Sequence, residues 1–484
     1  MPDRMCRSDL PRLVAIHPPV AHRENSIARA LYFIAGSLAL AMALIGWPSS
    51  LGLLGRPHGD RKSHSSGRDF VAQTDVQATL RASSVAPGWD AERVWSGHDD
   101  WEPFVAADRS SGYVYQMTTR FNARFSGIFI RRSADSGKTW LPDQLIAPIH
   151  VWQADPQVQV AADGTVFAVW LDGPDWQIKL VKSYDHGATW TEPVVIAPEL
   201  RWTDHPWLVV SPDGQEVYVG LNMDDSFIVA SHDGGQTFDT PVRTNSRPTP
   251  GHWWDANGAA IAPDGSIYYA VINFFLDYKG PAEINVVSSH DRGATWKTTL
   301  VDRSTPPPGC GQVAGCDYGF LSSTASLAID QGGLIMLLYH AGDNSKAPQP
   351  MWISTSFDGQ HWTPRVQVSQ SNEEASNAFP AIAAGRAVND FRIVWQGDNG
   401  EPRSWNTFYR RTTDGGTNWS ETVRLSDRPD GAPYKSSAGY AFPYGDYLSL
   451  SVDGEGRNHF IWGEGDSYDG PGGVWYTRGP GDPP

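Results

Sequence analysis

An eight-residue motif recurs along the chain, and its spacing limits what the chain can fold into. It reads Ser133-Ala-Asp135-Ser-Gly137-Lys-Thr139-Trp140, Ser183-Tyr-Asp185-His-Gly187-Ala-Thr189-Trp190, Ser231-His-Asp233-Gly-Gly235-Gln-Thr237-Phe238 and Ser289-His-Asp291-Arg-Gly293-Ala-Thr295-Trp296. Two looser copies follow, Ser356-Phe-Asp358-Gly-Gln-His-Trp362 and Thr412-Thr-Asp414-Gly-Gly416-Thr-Asn-Trp419. The aspartates are 50, 48, 58, 67 and 56 residues apart, a period that belongs to repeat architectures such as propeller blades. An Asp at the start of a tight turn accepts hydrogen bonds from the turn's own N–H groups. A Gly two residues later suits a positive-φ position. The closing Trp re-enters a strand over an apolar layer. Asp135, Asp185, Asp233, Asp291, Asp358 and Asp414 are therefore read as structural rather than catalytic.

The segments between the motifs carry short β-rich runs bounded by turn residues. In the clearest unit, Gln157-Val-Gln-Val-Ala, Thr165-Val-Phe-Ala-Val-Trp170, Gln177-Ile-Lys-Leu-Val-Lys182 and Pro193-Val-Val-Ile-Ala197 read as four strands, with the motif between the third and fourth. Four antiparallel strands per period make a propeller blade. The 48 Gly, 36 Pro and 21 Trp fit an all-β chain rich in turns. Six units carry the motif. A seventh, Tyr447-Leu-Ser-Leu-Ser-Val-Asp453-Gly454 to Gly473-Val-Trp-Tyr-Thr-Arg478, has three strands and no motif. A spare strand, Ala91-Glu-Arg-Val-Trp-Ser96, precedes the first unit and is expected to complete the seventh blade, which removes an unpaired edge. The expectation is a seven-bladed propeller over residues 85–480, with six blades as the alternative.

Residues 31–54 hold an apolar run preceded by arginines. This pattern fits an N-terminal apolar helix serving as a signal-anchor in the N-in orientation, or a signal peptide. Residues 1–30 are then a cytoplasmic leader, 55–84 a polar linker, and the propeller lies outside the cytoplasm. The net charge is −16, with residues 1–70 at +4 and the rest at −20. An acidic domain repels nucleic acid, so that partner is excluded. In an exported domain, Cys310 and Cys316 are expected to form a disulfide that closes a short loop.

Candidate chemistry gathers where the innermost strands begin: Trp101-Glu102-Pro103, Trp152-Gln-Ala-Asp155-Pro156, Trp202-Thr-Asp204-His205-Pro206, Trp253-Trp254-Asp255-Ala-Asn257 and Phe442-Pro443-Tyr444-Gly445-Asp446. These groups would ring one mouth of the channel, on the face opposite the motif turns. Carboxylates set close together in a partly dry pocket split their pKa values into acid and base, and paired carboxylates carry out glycoside hydrolysis. Glu102, Asp155, Asp204, Asp255, Asp446 and Tyr444 are the catalytic candidates. Trp101, Trp152, Trp202, Trp253 and Trp254 are candidate stacking platforms for sugar rings, with His205 as a further ligand contact. No residue is nominated as a metal ligand and no cofactor is expected, although clustered Asp side chains also suit Ca²⁺. The partners expected are carbohydrate, a membrane through residues 31–54 and, on the alternative of a non-catalytic envelope scaffold, a docked protein.

The repeated S-x-D-x-G-x-T-W resembles the Asp-box, or bacterial neuraminidase repeat, of the sialidase superfamily. The resemblance spans roughly residues 100–426 by motif and implies a propeller. It extends to glycosidases and to non-enzymatic propellers alike, so it leaves activity open. Sialidases place their first carboxylate-binding arginine in an F/Y-R-I-P motif near the first blade. This chain has none there, and Phe391-Arg392-Ile393-Val394 lacks the proline and falls within a predicted strand.

Overall fold

The computed structural model describes residues 86–95, 98–121, 126–277, 280–306, 323–343, 349–369, 377–397, 406–426, 447–465 and 472–480. Seven four-stranded antiparallel sheets succeed one another along the chain. Blades 1 to 6 occupy residues 99–145, 153–196, 204–243, 252–304, 325–367 and 377–424, each with its strands in sequence order from the channel outward. Blade 7 takes three strands, Ser449–Val452, Asn458–Gly465 and Gly472–Arg478, and its outermost strand is Arg93–Val94. Arg93 pairs with Tyr476 and Val94 with Trp475, so both ends of the domain share one sheet. The fold is the seven-bladed propeller expected from counting units, and the six-bladed alternative is excluded.

Seven apolar cores lie one between each pair of neighbouring blades. Leu180 and Phe167 of blade 2 pack with Leu208 and Val219 of blade 3, and Val105 and Phe129 of blade 1 pack with Ile461 and Val474 of blade 7. Each blade is thus apolar on both faces, as its near-continuous hydrophobic strands require. Among the described residues no helix is long and apolar enough to cross a membrane. The apolar segment at 31–54, the leader, the linker, and Cys310 and Cys316 lie outside the described residues.

The motif turns close on themselves as their composition demands. In blade 2, the Ser183 hydroxyl donates to Asp185 Oδ1 (2.8 Å) and accepts from Gly187 N–H (2.7 Å), while Thr189 donates its N–H (2.8 Å) and hydroxyl (2.7 Å) to Asp185. The same pattern holds Asp135, Asp233 and Asp291, and a variant of it, with His361 or Asn418 in place of Thr, holds Asp358 and Asp414. Asp135 and Asp233 are held at about 2 against partial burial by these hydrogen bonds.

The turns also join the blades. At Gly137 (φ 78°) a Cβ would collide with the Tyr476 hydroxyl of blade 7, and at Gly293 (φ 85°) it would press on the Tyr218 ring of blade 3 at 3.1 Å. Side chains of one blade bond to the next blade's turn: Arg132 to His186 O (2.7 Å), Lys182 to Gly234 O (2.6 Å) and Arg478 to Ser136 O (2.9 Å). The turn between the first and second strands lies at this same end, since Ser136 N–H donates to Gly112 O and Gly234 N–H to Gln215 O.

Candidate functional site

The innermost strands do not start at the X-Pro dipeptides. They start upstream of them, and the dipeptide is a bulge. Register shifts fall between Trp101 and Phe104, Ala154 and Gln157, Asp204 and Trp207, and Ala378 and Ala381. The residue before the proline has positive φ in all four: Glu102 (56°), Asp155 (52°), His205 (28°) and Phe379 (52°). A left-handed conformation is costly for such residues, and bulges of this kind re-aim a side chain. Blade 4 has a register shift between Ala256 and Gly258 without a proline.

In blades 1 to 4 the bulges bring four carboxyl groups into a row. Glu102 Oε2 accepts from the Thr119 hydroxyl (2.6 Å) and from Asp155 N–H (3.1 Å). The Asp155 side chain is hydrogen-bonded to Glu102 on one side and to Asp204 on the other. Asp255 comes next, acting on Asp204 through its charge. Its carboxylate accepts from the Asn222 and Asn257 side-chain amides, the latter at 2.8 Å. Asn222 has no freedom to turn its amide, because its Oδ1 accepts Ala256 N–H at 2.7 Å.

Glu102 and Asp155 are buried, and Asp204 and Asp255 are half-buried. Burial pushes the Asp204 carboxyl up to about 7, and the charges of Asp255 and Glu102 push in the same direction, against hydrogen bonds from Asp155 and His205 N–H. Burial raises Asp255 to about 6, opposed by Asn257 and Asn222, and raises Glu102 as well. Carboxyl groups in direct contact cannot all ionise, so the row shares protons near neutral pH.

Below the row, four rings block the channel. His205 stacks on Tyr447 (4.1 Å, 9°) and meets Trp207 edge-on (5.4 Å), while Phe104 touches Trp207 (5.9 Å) and Tyr447 (6.5 Å). Beyond this plug a cavity of about 530 Å³ runs down to the motif-turn end, walled by small residues such as Ala106, Ala260, Ala328 and Ser449. Burial lowers His205 to about 3, so its imidazole is neutral.

Three of the five tryptophans do not present the faces expected of them. Trp101, Trp253 and Trp254 are buried. Trp101 donates its indole N–H to Asp99 (2.6 Å) and Trp254 donates to Thr249 (2.7 Å), while Trp253 sits in the core between blades 4 and 5. The reason is packing: Trp253 and Trp254 fill the cores on the two sides of blade 4, and Trp101 packs edge-on against Phe121 at 5.3 Å. Trp152 and Trp202 are half-buried against the core between blades 2 and 3. Tyr444 and Asp446 lie outside the described residues. Among the described residues no group of three or more His, Cys, Asp or Glu is arranged to hold a metal ion. Arg392 is fully buried and ion-paired with Asp390 (3.1 Å), which makes it part of the blade 6 scaffold.

Thr119, Gln157 and Asn222 were not nominated from sequence. Asn222 is the one polar residue of an otherwise apolar, fully buried strand, which is a signal that could have marked it; Thr119 and Gln157 sit among other polar residues, and no such signal sets them apart. No protein-family model matches the chain, and no curated protein aligns with it. Solved structures similar to it include a Hadza microbial sialidase (16% identity, TM-score 0.45, covering 79% of this chain and 66% of that one). A protein of unknown function from Dyadobacter fermentans is similar at 14% identity and TM-score 0.47, covering 81% and 99%. The NanB sialidase of Streptococcus pneumoniae is similar at 11% identity and TM-score 0.44, covering 80% and 70%. The chain thus spans slightly under two thirds of the first of these.

Proposed function

We propose that this chain is an extracytoplasmic propeller, tethered to a membrane or secreted, that binds carbohydrate at the mouth formed by blades 1 to 4 and hydrolyses a glycosidic bond there. The observation that carries the reading is the row Glu102–Asp155–Asp204–Asp255, in which a carboxyl near 7 touches a second carboxyl and faces a third. A protonated acid and an ionised carboxylate side by side at neutral pH are the two groups that glycoside hydrolysis needs. Asp204 is the acid: its proton goes to the leaving oxygen as the C1–O bond breaks. Asp255, whose carboxylate form is held by Asn222 and Asn257, is the base and takes the proton of the water that attacks C1.

The test is turnover of a panel of chromogenic glycosides by the full chain between pH 4 and 8. Asp204→Asn and Asp255→Asn are each expected to lower kcat/KM by at least about 100-fold, the scale of general acid–base catalysis. Hydrolysis that survives both single substitutions would remove these roles. No turnover on any glycan, with a protein recovered by crosslinking at the cell envelope, would favour the scaffold reading instead.

A further inference from the structure

His205 is almost wholly buried, at 4% exposure, yet its two ring nitrogens are not equivalent. Nε2 lies 3.3 Å from the Gln157 side-chain nitrogen. The orientation of that amide is fixed, because Gln157 Oε1 accepts Leu208 N–H at 2.8 Å. Gln157 Nε2 therefore donates, and His205 Nε2 has to accept. The neutral ring then carries its proton on Nδ1. Nδ1 has no hydrogen-bond partner among the described residues, and it is not among the polar atoms sealed from solvent. His205 does not line the cavity beyond the aromatic plug. It follows Asp204 in the same bulge, and the Asp204 Oδ1 accepts the His205 backbone N–H at 3.1 Å, so the imidazole belongs to the residue next to the acid.

We propose that the mouth takes a sugar without a carboxylate, with His205 Nδ1–H donating to one of its oxygens and the carboxyl row accepting from its hydroxyls, and that Gln157 is the positioning residue that fixes His205 as this donor. The proposal rests on the carbohydrate reading above and narrows its substrate class. A carboxylate-bearing sugar would enter beside Asp255, whose carboxylate form is held by Asn222 and Asn257 and carries a charge of its own sign. A neutral imidazole brings no positive charge to offset it, and a desolvated like-charge contact is a strong discriminator. Hydroxyl groups match the row because each can donate to a carboxylate and still accept from the imidazole.

Two measurements on the full chain decide the matter. With ¹⁵N-labelled histidine, long-range ¹H–¹⁵N correlation spectra identify which nitrogen of His205 is protonated, the signal being assigned by its loss in His205→Phe. Nδ1 is expected to carry the proton in the native chain, and Gln157→Leu is expected to shift the population toward the Nε2–H form. A native ring protonated on Nε2, or one unchanged in Gln157→Leu, overturns the role of Gln157. The second measurement is calorimetric binding of methyl glycosides of glucose, galactose and N-acetylglucosamine against methyl glucuronide and 3′-sialyllactose. The neutral sugars are expected to bind at least tenfold more tightly. His205→Phe, which keeps a ring on Tyr447, is expected to weaken them about five- to tenfold, the value of one neutral hydrogen bond. Tighter binding of the acidic sugars overturns the substrate class. Binding of neither kind overturns the carbohydrate reading and the selectivity with it, whereas the tautomer measurement decides Gln157 separately.

Discussion

Asp204 offers a direct test of proton sharing in the row. Its carboxyl is raised from an ordinary 3.8 to about 7, so the folded chain holds a proton there that the unfolded chain releases. The sign follows from linkage. Stability is full below about pH 4, falls as pH rises, and levels off above about 7. The slope approaches 1.4 kcal/mol per pH unit, and the whole loss is about 4 kcal/mol as an upper bound for a half-buried group. Asn is close in shape to a protonated Asp and does not titrate. Asp204→Asn is therefore expected to gain stability relative to the native chain steadily from pH 4 to 7, with the difference flat above 7. Asp255 and His205 titrate in both proteins, so their contributions largely cancel in the comparison. The assay is urea denaturation followed by tryptophan fluorescence at half-unit pH steps. A difference that stays constant from pH 4 to 7, or that turns against the variant as pH rises, would show that Asp204 is ionised in the fold and that the row shares no proton.

His205 titrates in the opposite sense. Burial lowers it from 6.5 to about 3, so its contribution is present above 6.5 and is lost as pH falls toward 3; His205→Phe should flatten the decline in melting temperature between pH 6.5 and 4, and an unchanged decline would refute the assignment. Gly137→Ala should cost several kcal/mol, because a Cβ at φ 78° meets the Tyr476 hydroxyl, whereas Gly265→Ala at φ 87°, with nothing within 4 Å, should cost only the backbone strain of about 1 kcal/mol; equal melting temperatures would refute the joining role of the motif glycine. Trp95→Ala should cost about 3–5 kcal/mol and expose the closing strand to limited proteolysis, since Trp95 is buried between blades 7 and 1, donates to Asp143 (2.6 Å) and lies under Arg131 (4.8 Å).

The propeller was legible because its signals are local. A Ser-x-Asp-x-Gly turn satisfies its own hydrogen bonds, so composition and geometry coincide within eight residues, and counting such turns yields blades. Closure was legible too, since a unit short of one strand and a strand short of a unit imply each other. The site was legible only by position. Glu102, Asp155, Asp204 and Asp255 stand out as acids near the start of four successive innermost strands, but Glu102-Pro and Asp155-Pro read as the punctuation that begins a strand. The actual bulge depends on the partner strand continuing past it, as Trp101↔Thr119 and Asp204↔Asn222 show. The burial of Trp101, Trp253 and Trp254 was hidden for a related reason: an indole's exposure is decided by the neighbouring blade. The tautomer of His205 depends on Gln157, 48 residues away on the neighbouring blade, a contact that sequence spacing does not reveal.

The same backbone device serves different ends around the ring. The position before proline holds an acid in blades 1 and 2, an imidazole in blade 3 and a phenyl ring in blade 6. Repetition therefore supplies the bulge, and divergence at one residue supplies the chemistry. Because each blade contributes one carboxyl, every link in the row crosses a blade boundary: the hydrogen bonds of Asp155 to Glu102 and to Asp204, and the charge interaction of Asp204 with Asp255. The spacing that lets neighbouring carboxyls share a proton is thus set by how closely whole blades pack. That packing is governed by the apolar cores between blades and, at the far end, by the motif turns with their glycines against the preceding blade. The motif turns take no part in the proposed chemistry, yet they help hold the distances on which it depends.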